Sequence, residues 1–228
     1  METQAMSDFA GQTVVLRLND ATLDTDGTTL FSDIAFLSEL GVRPIIIAPS
    51  VQSARSVVRR MNRSGDTAVG LSGADAGMIP AANGAQLGAV QTRLLTTLLG
   101  AGYVPVIEPL ALGLFGKDIA VGPDDVARAL AQAICATRAI FFHDAGGVID
   151  VHTRMLIDEL TPAEALALAD DCTLADDLRT AIRAAALGVR GGVGAAQIVD
   201  GRIAHAAIVE FLTSRHLGTQ VAGTVFMS

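Results

Sequence analysis

Few side chains in this 228-residue chain are equipped to hold an anion, and their neighbours decide whether they can. Arg17 ends the apolar run Val14-Val15-Leu16 and is followed by Leu18-Asn19-Asp20. Asn and Asp after a strand make a polar turn with their own side chains. Asp20 also sets a carboxylate three residues after Arg17, and a carboxylate near a cation competes with any outside anion. A second apolar run ends in Ala48-Pro49-Ser50-Val51. Pro49 has no N–H to donate. The Ser50 hydroxyl is the donor that remains. Arg59, Arg60 and Arg63 share one helical stretch and read as a solvated face. Arg179 and Arg183 lie one turn apart, with Asp176 and Asp177 at hand as ion-pair partners. Asp124 follows Pro123 at a helix start, where negative charge complements the helix dipole. His143, Asp144 and His152 are metal-ligand types at an unremarkable spacing, and no metal is expected.

Composition narrows the classes. Net charge is −8, with fifteen arginines and a single lysine, Lys117. That balance excludes a nucleic-acid surface, which needs a basic stripe. Cys135 and Cys172 stand alone, in neither metal nor redox spacing, and are expected to be reduced, buried and cytoplasmic. The first twelve residues lack a basic start and an apolar run, so no signal peptide is expected. Apolar stretches are broken by Gly, Pro and charge before reaching membrane-spanning length, so no membrane partner is expected.

Short apolar runs alternating with longer helical patterns predict a parallel sheet covered by helices, an α/β fold. The predicted strands are Thr13–Leu18, Arg43–Ala48, Thr67–Leu71, Val104–Glu108, Ala139–Phe142, Ala195–Val199 and Thr219–Val221. Several are apolar throughout, as when both faces are buried. The predicted helices are Leu30–Leu40, Ser53–Asn62, Leu87–Leu99, Pro123–Ala136, Pro162–Ala169 and Ala175–Leu187. Thr161-Pro162-Ala163-Glu164 carries an N-cap, a first-turn proline and a reciprocal acid. The glycine run 188–194 precedes a strand instead of following one, and reads as a helix stop and turn. With no repeat or linker, residues 1–228 form one domain.

The stretch Ala68-Val69-Gly70-Leu71-Ser72-Gly73-Ala74-Asp75-Ala76-Gly77 resembles the Gly-Leu-Ser-Gly-x-Asp-Gly segment of N-acetylglutamate kinases, the arginine-biosynthesis branch of the amino-acid kinase family. Further blocks agree in order: Gly102 to Ile107, Asp124 to Ala131, Asp144 to Asp150, and Gly191 to Arg202 with His205 and then Leu217-Gly218-Thr219. The resemblance implies a three-layer αβα sandwich with a central, mostly parallel sheet. It also implies a substrate-type lobe over about 1–110 and a nucleotide-type lobe over about 111–228. ATP or ADP with Mg²⁺ is the implied cofactor, a small molecule the implied ligand, and a homodimer or a complex with another protein the implied assembly.

The departures from that family concern charge. Its first-strand lysine and glycine pair become Arg17-Leu18-Asn19-Asp20, and an arginine fork does not replace a compact ammonium. Its glycine-rich second loop becomes Ala48-Pro49-Ser50-Val51. Its lid and substrate-clamping arginine have no counterpart between Ser50 and Val57. Its asparagine-rich substrate motif becomes Ala120-Val121-Gly122-Pro123-Asp124, and its nucleotide lysine falls on Ala181. What the resemblance carries over is Arg17 and Asp124 as catalytic candidates, paired to each other. Ser50, Ser72, Gly73 and Gly122 are the substrate-binding candidates, and His143, Asp144, Arg179 and Arg183 the nucleotide-binding ones. Phosphoryl transfer depends on fixed positive charge and N–H donors around the migrating group. The expectation is therefore an N-acetylglutamate-kinase-like protein with impaired or lost phosphotransferase activity, acting as a small-molecule-binding, regulatory or partner subunit. The alternative is an active kinase that phosphorylates a carboxylate such as N-acetyl-L-glutamate with arginines in place of lysines.

Overall fold

The computed structural model describes residues 9–25, 29–63, 65–84, 86–213 and 216–223. Its centre is an eight-stranded sheet in the order β10-β12-β11-β9-β1-β2-β6-β3. The strands are β1 (Thr13–Arg17), β2 (Arg43–Ile47), β3 (Ala68–Ser72), β6 (Val104–Glu108), β9 (Arg138–Phe142), β10 (Glu159–Leu160), β11 (Ala195–Val199) and β12 (Thr219–Ala222). All neighbours run parallel except β12, which is antiparallel to β11. Two small hairpins stand apart: β4 (Ala81–Asn83) with β5 (Gln86–Leu87), and β7 (Leu110–Leu112) with β8 (Asp118–Ala120).

The helices are α1 (Asp20–Asp24), α2 (Leu30–Glu39), α3 (Val51–Met61), α4 (Arg93–Gly100), α5 (Pro123–Ala133), α6 (Pro162–Ala169), α7 (Asp176–Arg190) and α8 (Ala206–Leu212). Alternation along β1 explains the layering. Val15 points into a core shared with α4, α5, α6 and α7. Val14 and Leu16 point into a second core built with α2, α3 and α8. A sheet covered on both faces needs apolar side chains on both, which is why β1 and β2 are apolar almost throughout. The architecture is thus the three-layer αβα sandwich, and one sheet crosses both halves of the chain.

Differences from the sequence expectations lie at boundaries and in short elements. The helix predicted from Leu87 begins at Arg93, because β5 occupies Gln86–Leu87. The strand predicted through Leu18 ends at Arg17, where Asn19 caps α1 by accepting from the Thr22 N–H. α3 starts at Val51, with Ser50 and Ser53 forming a reciprocal cap. α5 stops at Ala133, and Cys135 just beyond it takes a left-handed conformation, φ 51°; Cys135 and Cys172 are both exposed, not buried as expected, because each lies in a turn outside the core. The Thr161–Glu164 cap is present as expected. Among the described residues no helix is long and apolar enough to cross a membrane.

Candidate functional site

From β1 the chain moves to β2 on one side of the sheet, while β9 fills the other side. In open α/β sheets such a reversal of strand order leaves a crevice beyond the carboxyl ends of the strands. A cavity of about 220 Å³ occupies this place, lined by Arg17, Asn19, Asp20, Ala21, Pro49, His143, Asp144 and Asp177. The turns after β1, β2 and β9 and the first turn of α7 supply these residues.

Arg17 closes the floor. Its Nε lies 2.6 Å from Asp124 Oδ1, and both side chains are close to nine-tenths buried. An Nη of Arg17 also donates to the Phe142 carbonyl at 3.4 Å. Thr180, one turn into α7, donates its hydroxyl to Asp124 Oδ2 at 3.2 Å. Burial lifts the Asp124 carboxyl above its ordinary 3.8; the Arg17 guanidinium, then the Thr180 hydroxyl and His143, pull it back without cancelling that rise. The walls carry charge of the other sign. Asp20, Asp144 and Asp177 are exposed around the cavity. The Asn19 amide donates to Asp144 Oδ1. His143 Nδ1 accepts from the Ala145 N–H at 3.1 Å, which leaves Nε2 as the ring's donor, 3.4 Å from Asp177 Oδ2. A helix N-terminus is ordinarily an anion site. Here α5 and α7 begin with Asp124-Asp125 and Asp176-Asp177, so their own carboxylates already meet the dipole.

The structure joins some of the candidate residues and separates others. Arg17, Asp124, His143 and Asp144 meet at this cavity or its floor, and the pairing of Arg17 with Asp124 is as expected. Gly122 is the N-cap of α5. Ser50 stands beside the cavity-lining Pro49, but its hydroxyl caps α3, accepting from the Ser53 N–H at 3.2 Å. Ser72 and Gly73 do not reach the cavity. They end β3, three strands from β1, a lateral distance of roughly 14 Å at the usual strand spacing. A Cβ on Gly73 would run into the Leu110 carbonyl oxygen, so close packing accounts for that glycine. Arg179 and Arg183 also turn elsewhere. Both donate to the Ala169 carbonyl at the end of α6, and they pair with Asp176 and Asp170 at 2.8 Å. Their sequence neighbours and the open carbonyls of a helix end hold them there.

Thr180, Asn19 and Asp177 join the site without having been candidates. For Thr180 the one available signal is its place, one turn after the acidic start of α7. His152 binds back to Asp150 through its N–H, away from His143. Among the described residues no three His, Cys, Asp or Glu side chains converge as metal ligands. The terminal phosphates of a nucleotide do not fit the groups present. Pro49 offers no N–H, three carboxylates face inward, and the lone guanidinium is already ion-paired.

Comparison with known proteins adds relatives. A family model described as "Amino acid kinase family" matches residues 49–200, beginning just after β2. The acetylglutamate kinase of Acidiphilium cryptum (strain JF-5) is 26% identical over 272 residues, spanning 93% of this chain and 91% of that protein. At least 44 of those aligned positions, 272 less the 228 of the whole chain, therefore hold no residue of this chain. The acetylglutamate kinase of Gluconobacter oxydans (strain 621H) is 31% identical over 204 residues, 81% of this chain and 68% of its own length. Among solved structures, N-acetylglutamate synthase from Neisseria gonorrhoeae, complexed with coenzyme A and N-acetyl-glutamate, superposes with a TM-score of 0.79 at 21% identity. The match covers 98% of this chain and spans 62% of the synthase chain. Carbamate kinase from Giardia lamblia bound to AMP-PNP gives 0.71 at 12% identity, over 94% of this chain and 99% of its own.

Proposed function

The chain belongs to the amino acid kinase family, with acetylglutamate kinases among its relatives, and from that premise we propose that it is an acetylglutamate-kinase-like protein whose phosphotransferase activity is impaired or lost. In this reading it serves as a small-molecule-binding, regulatory or partner subunit. One observation carries the proposal: among the described residues the one arginine or lysine lining the strand-end cavity, Arg17, is bound to buried Asp124, while Asp20, Asp144 and Asp177 line the same space. Removing one preorganised charge contact commonly costs about 10²–10³ in rate. The 44 or more aligned positions that hold no residue of this chain fit the same reading, and among the described residues Ser50 leads straight into α3 with no lid between them.

A hydroxamate assay with ATP, Mg²⁺ and N-acetyl-L-glutamate tests the proposal. No turnover above background is expected. Turnover near 1 s⁻¹, an ordinary enzyme rate, defeats it in favour of the second reading, an active ATP-dependent carboxylate kinase that works with arginines. The names of the curated relatives and the retained Arg17–Asp124–Thr180 cluster favour that second reading. Under it, Arg17→Ala abolishes activity in a protein that still folds. A cytoplasmic location and a homodimer or mixed complex complete the proposal, and size-exclusion chromatography with light scattering reads the assembly.

A further inference from the structure

The two small hairpins meet in a second cleft, of about 390 Å³. A parallel bridge between Pro80 and Leu112, and the bond from the Leu112 N–H to the Ile79 carbonyl at 2.8 Å, lock them side by side. Ala81, Ala82 and Ile119 give the cleft an apolar floor. At its lip stands the turn of the β7–β8 hairpin, where Leu114 and Phe115 are 79% and 98% exposed. Phe115 holds a left-handed conformation at φ 59°, which bulky side chains rarely adopt, and Gly116 follows at φ 75°. Such backbone concentrates at functional sites. Two large apolar side chains held in water one after the other, above an apolar recess, mark a contact surface. Next to them come Lys117, the chain's single lysine, and Asp118, both exposed on the same cleft. Among the described residues neither side chain has a partner.

We propose that this surface joins two copies of the chain about a twofold axis. Each copy seats its Leu114–Phe115 tip in the cleft of the other and sets Lys117 against Asp118 of the second copy. What selects a second copy is complementarity within one patch, which carries projecting tip and apolar recess, base and acid. A twofold contact needs a surface that fits itself, with each residue meeting in the other copy the residue that meets it. At net charge −8 two copies repel at long range, and the chain's only lysine stands where that repulsion has to be offset. The same net charge disfavours an anionic membrane as the occupant. This inference gives a surface to the homodimer among the proposed assemblies and rests on that part of the proposed function alone. It holds or fails whether or not the protein transfers phosphate.

Analytical ultracentrifugation of the full chain from about 1 to 200 µM, a range suited to a small contact, tests it. A monomer–dimer equilibrium is expected. Phe115→Ser should weaken it at least about tenfold, as loss of an aromatic anchor does, and Phe115 is so exposed that the variant keeps its fold. Lys117→Glu sets acid against acid at both contacts, and Asp118→Lys sets base against base. Each variant alone should therefore dimerise at least about tenfold more weakly than the parent. Mixed in equal amounts, they oppose an acid at position 117 to a base at position 118, and a base at 117 to an acid at 118. The mixture should recover a dimer with one copy of each variant, near the affinity of the parent. A parent that stays monomeric overturns the homodimer and this surface together, also where Phe115 then proves to drive binding to lipid vesicles or to another protein. A dimer indifferent to Phe115→Ser, or a mixture of charge variants that associates no more tightly than either alone, overturns the surface and leaves the homodimer standing.

Discussion

The two clefts hold their cations in opposite states. At the strand ends Arg17 is packed against Asp124 at 2.6 Å beneath a ring of aspartates. At the hairpins Lys117 stands open to solvent next to Asp118, and among the described residues neither has a partner. A basic side chain recognises an outside anion only when no internal carboxylate has neutralised it first. Burial strengthens the internal pair, because a low dielectric deepens the attraction and makes separating the two costly. Counting basic residues along a sequence therefore says little about anion binding. What matters is which of them the fold leaves unpaired.

The largest expected effect tests the paired state directly. Arg17→Ala strands Asp124 as a buried, uncompensated charge, and breaking such a pair costs about 3–5 kcal/mol. Urea unfolding near neutral pH reads this; a loss below about 1 kcal/mol, typical of an exposed pair, breaks the contrast between the clefts. The pH dependence sharpens it. Asp124 is held above its unfolded value mainly by burial, so between those two values the folded state binds the proton more tightly. Its contribution to stability is full below about pH 3.8 and is lost as pH rises through the higher folded value. Asp124→Asn keeps a neutral group at every pH. Its stability relative to the parent should rise over the weakly acidic range, as unfolding series at stepped pH would show, and a flat difference contradicts the assignment.

A smaller effect concerns the walls of the strand-end cavity. Asp20→Asn with Asp177→Asn removes two inward carboxylates without touching the floor. Each unit charge at about 4 Å is worth on the order of 1 kcal/mol even in water. ATP should therefore raise the thermal midpoint of the double variant more than that of the parent, by mass action. An equal shift in both proteins means that the aspartates do not repel phosphate.

What the sequence could tell followed the range of its interactions. Core strands such as β1 and β2 were legible because both faces are buried and nearly every residue is apolar. The Thr161–Glu164 cap was legible because it closes within four residues. The pairing of Arg17 with Asp124 came from family resemblance; its burial did not. Thr180 could not be placed, since its hydroxyl meets Asp124 only when α7 packs on α5, 56 positions away along the chain. The contact of Asn19 with Asp144 spans 125 positions. The hairpins were missed for another reason: strands of two or three residues carry no readable alternation.

Arg179 supplies the smallest effect and a third state of a basic side chain. It is neither buried on an acid nor open to a second molecule. It pairs with the exposed Asp176 one turn back, and its Nε reaches the Ala169 carbonyl at 3.1 Å. Exposed i,i+3 pairs contribute well under about 1 kcal/mol, because water screens the charge and ordering two side chains costs entropy. The carbonyl contact adds a little, since it satisfies one acceptor at the end of α6. Arg179→Ala should therefore lower stability by no more than about 1 kcal/mol, and that loss should shrink in high salt. Nucleotide-dependent thermal shifts should not change, because Arg179 does not line the strand-end cavity. A collapse of any ATP-dependent shift in Arg179→Ala would move this residue into the binding site, and the helix-end contacts would then describe only its resting position.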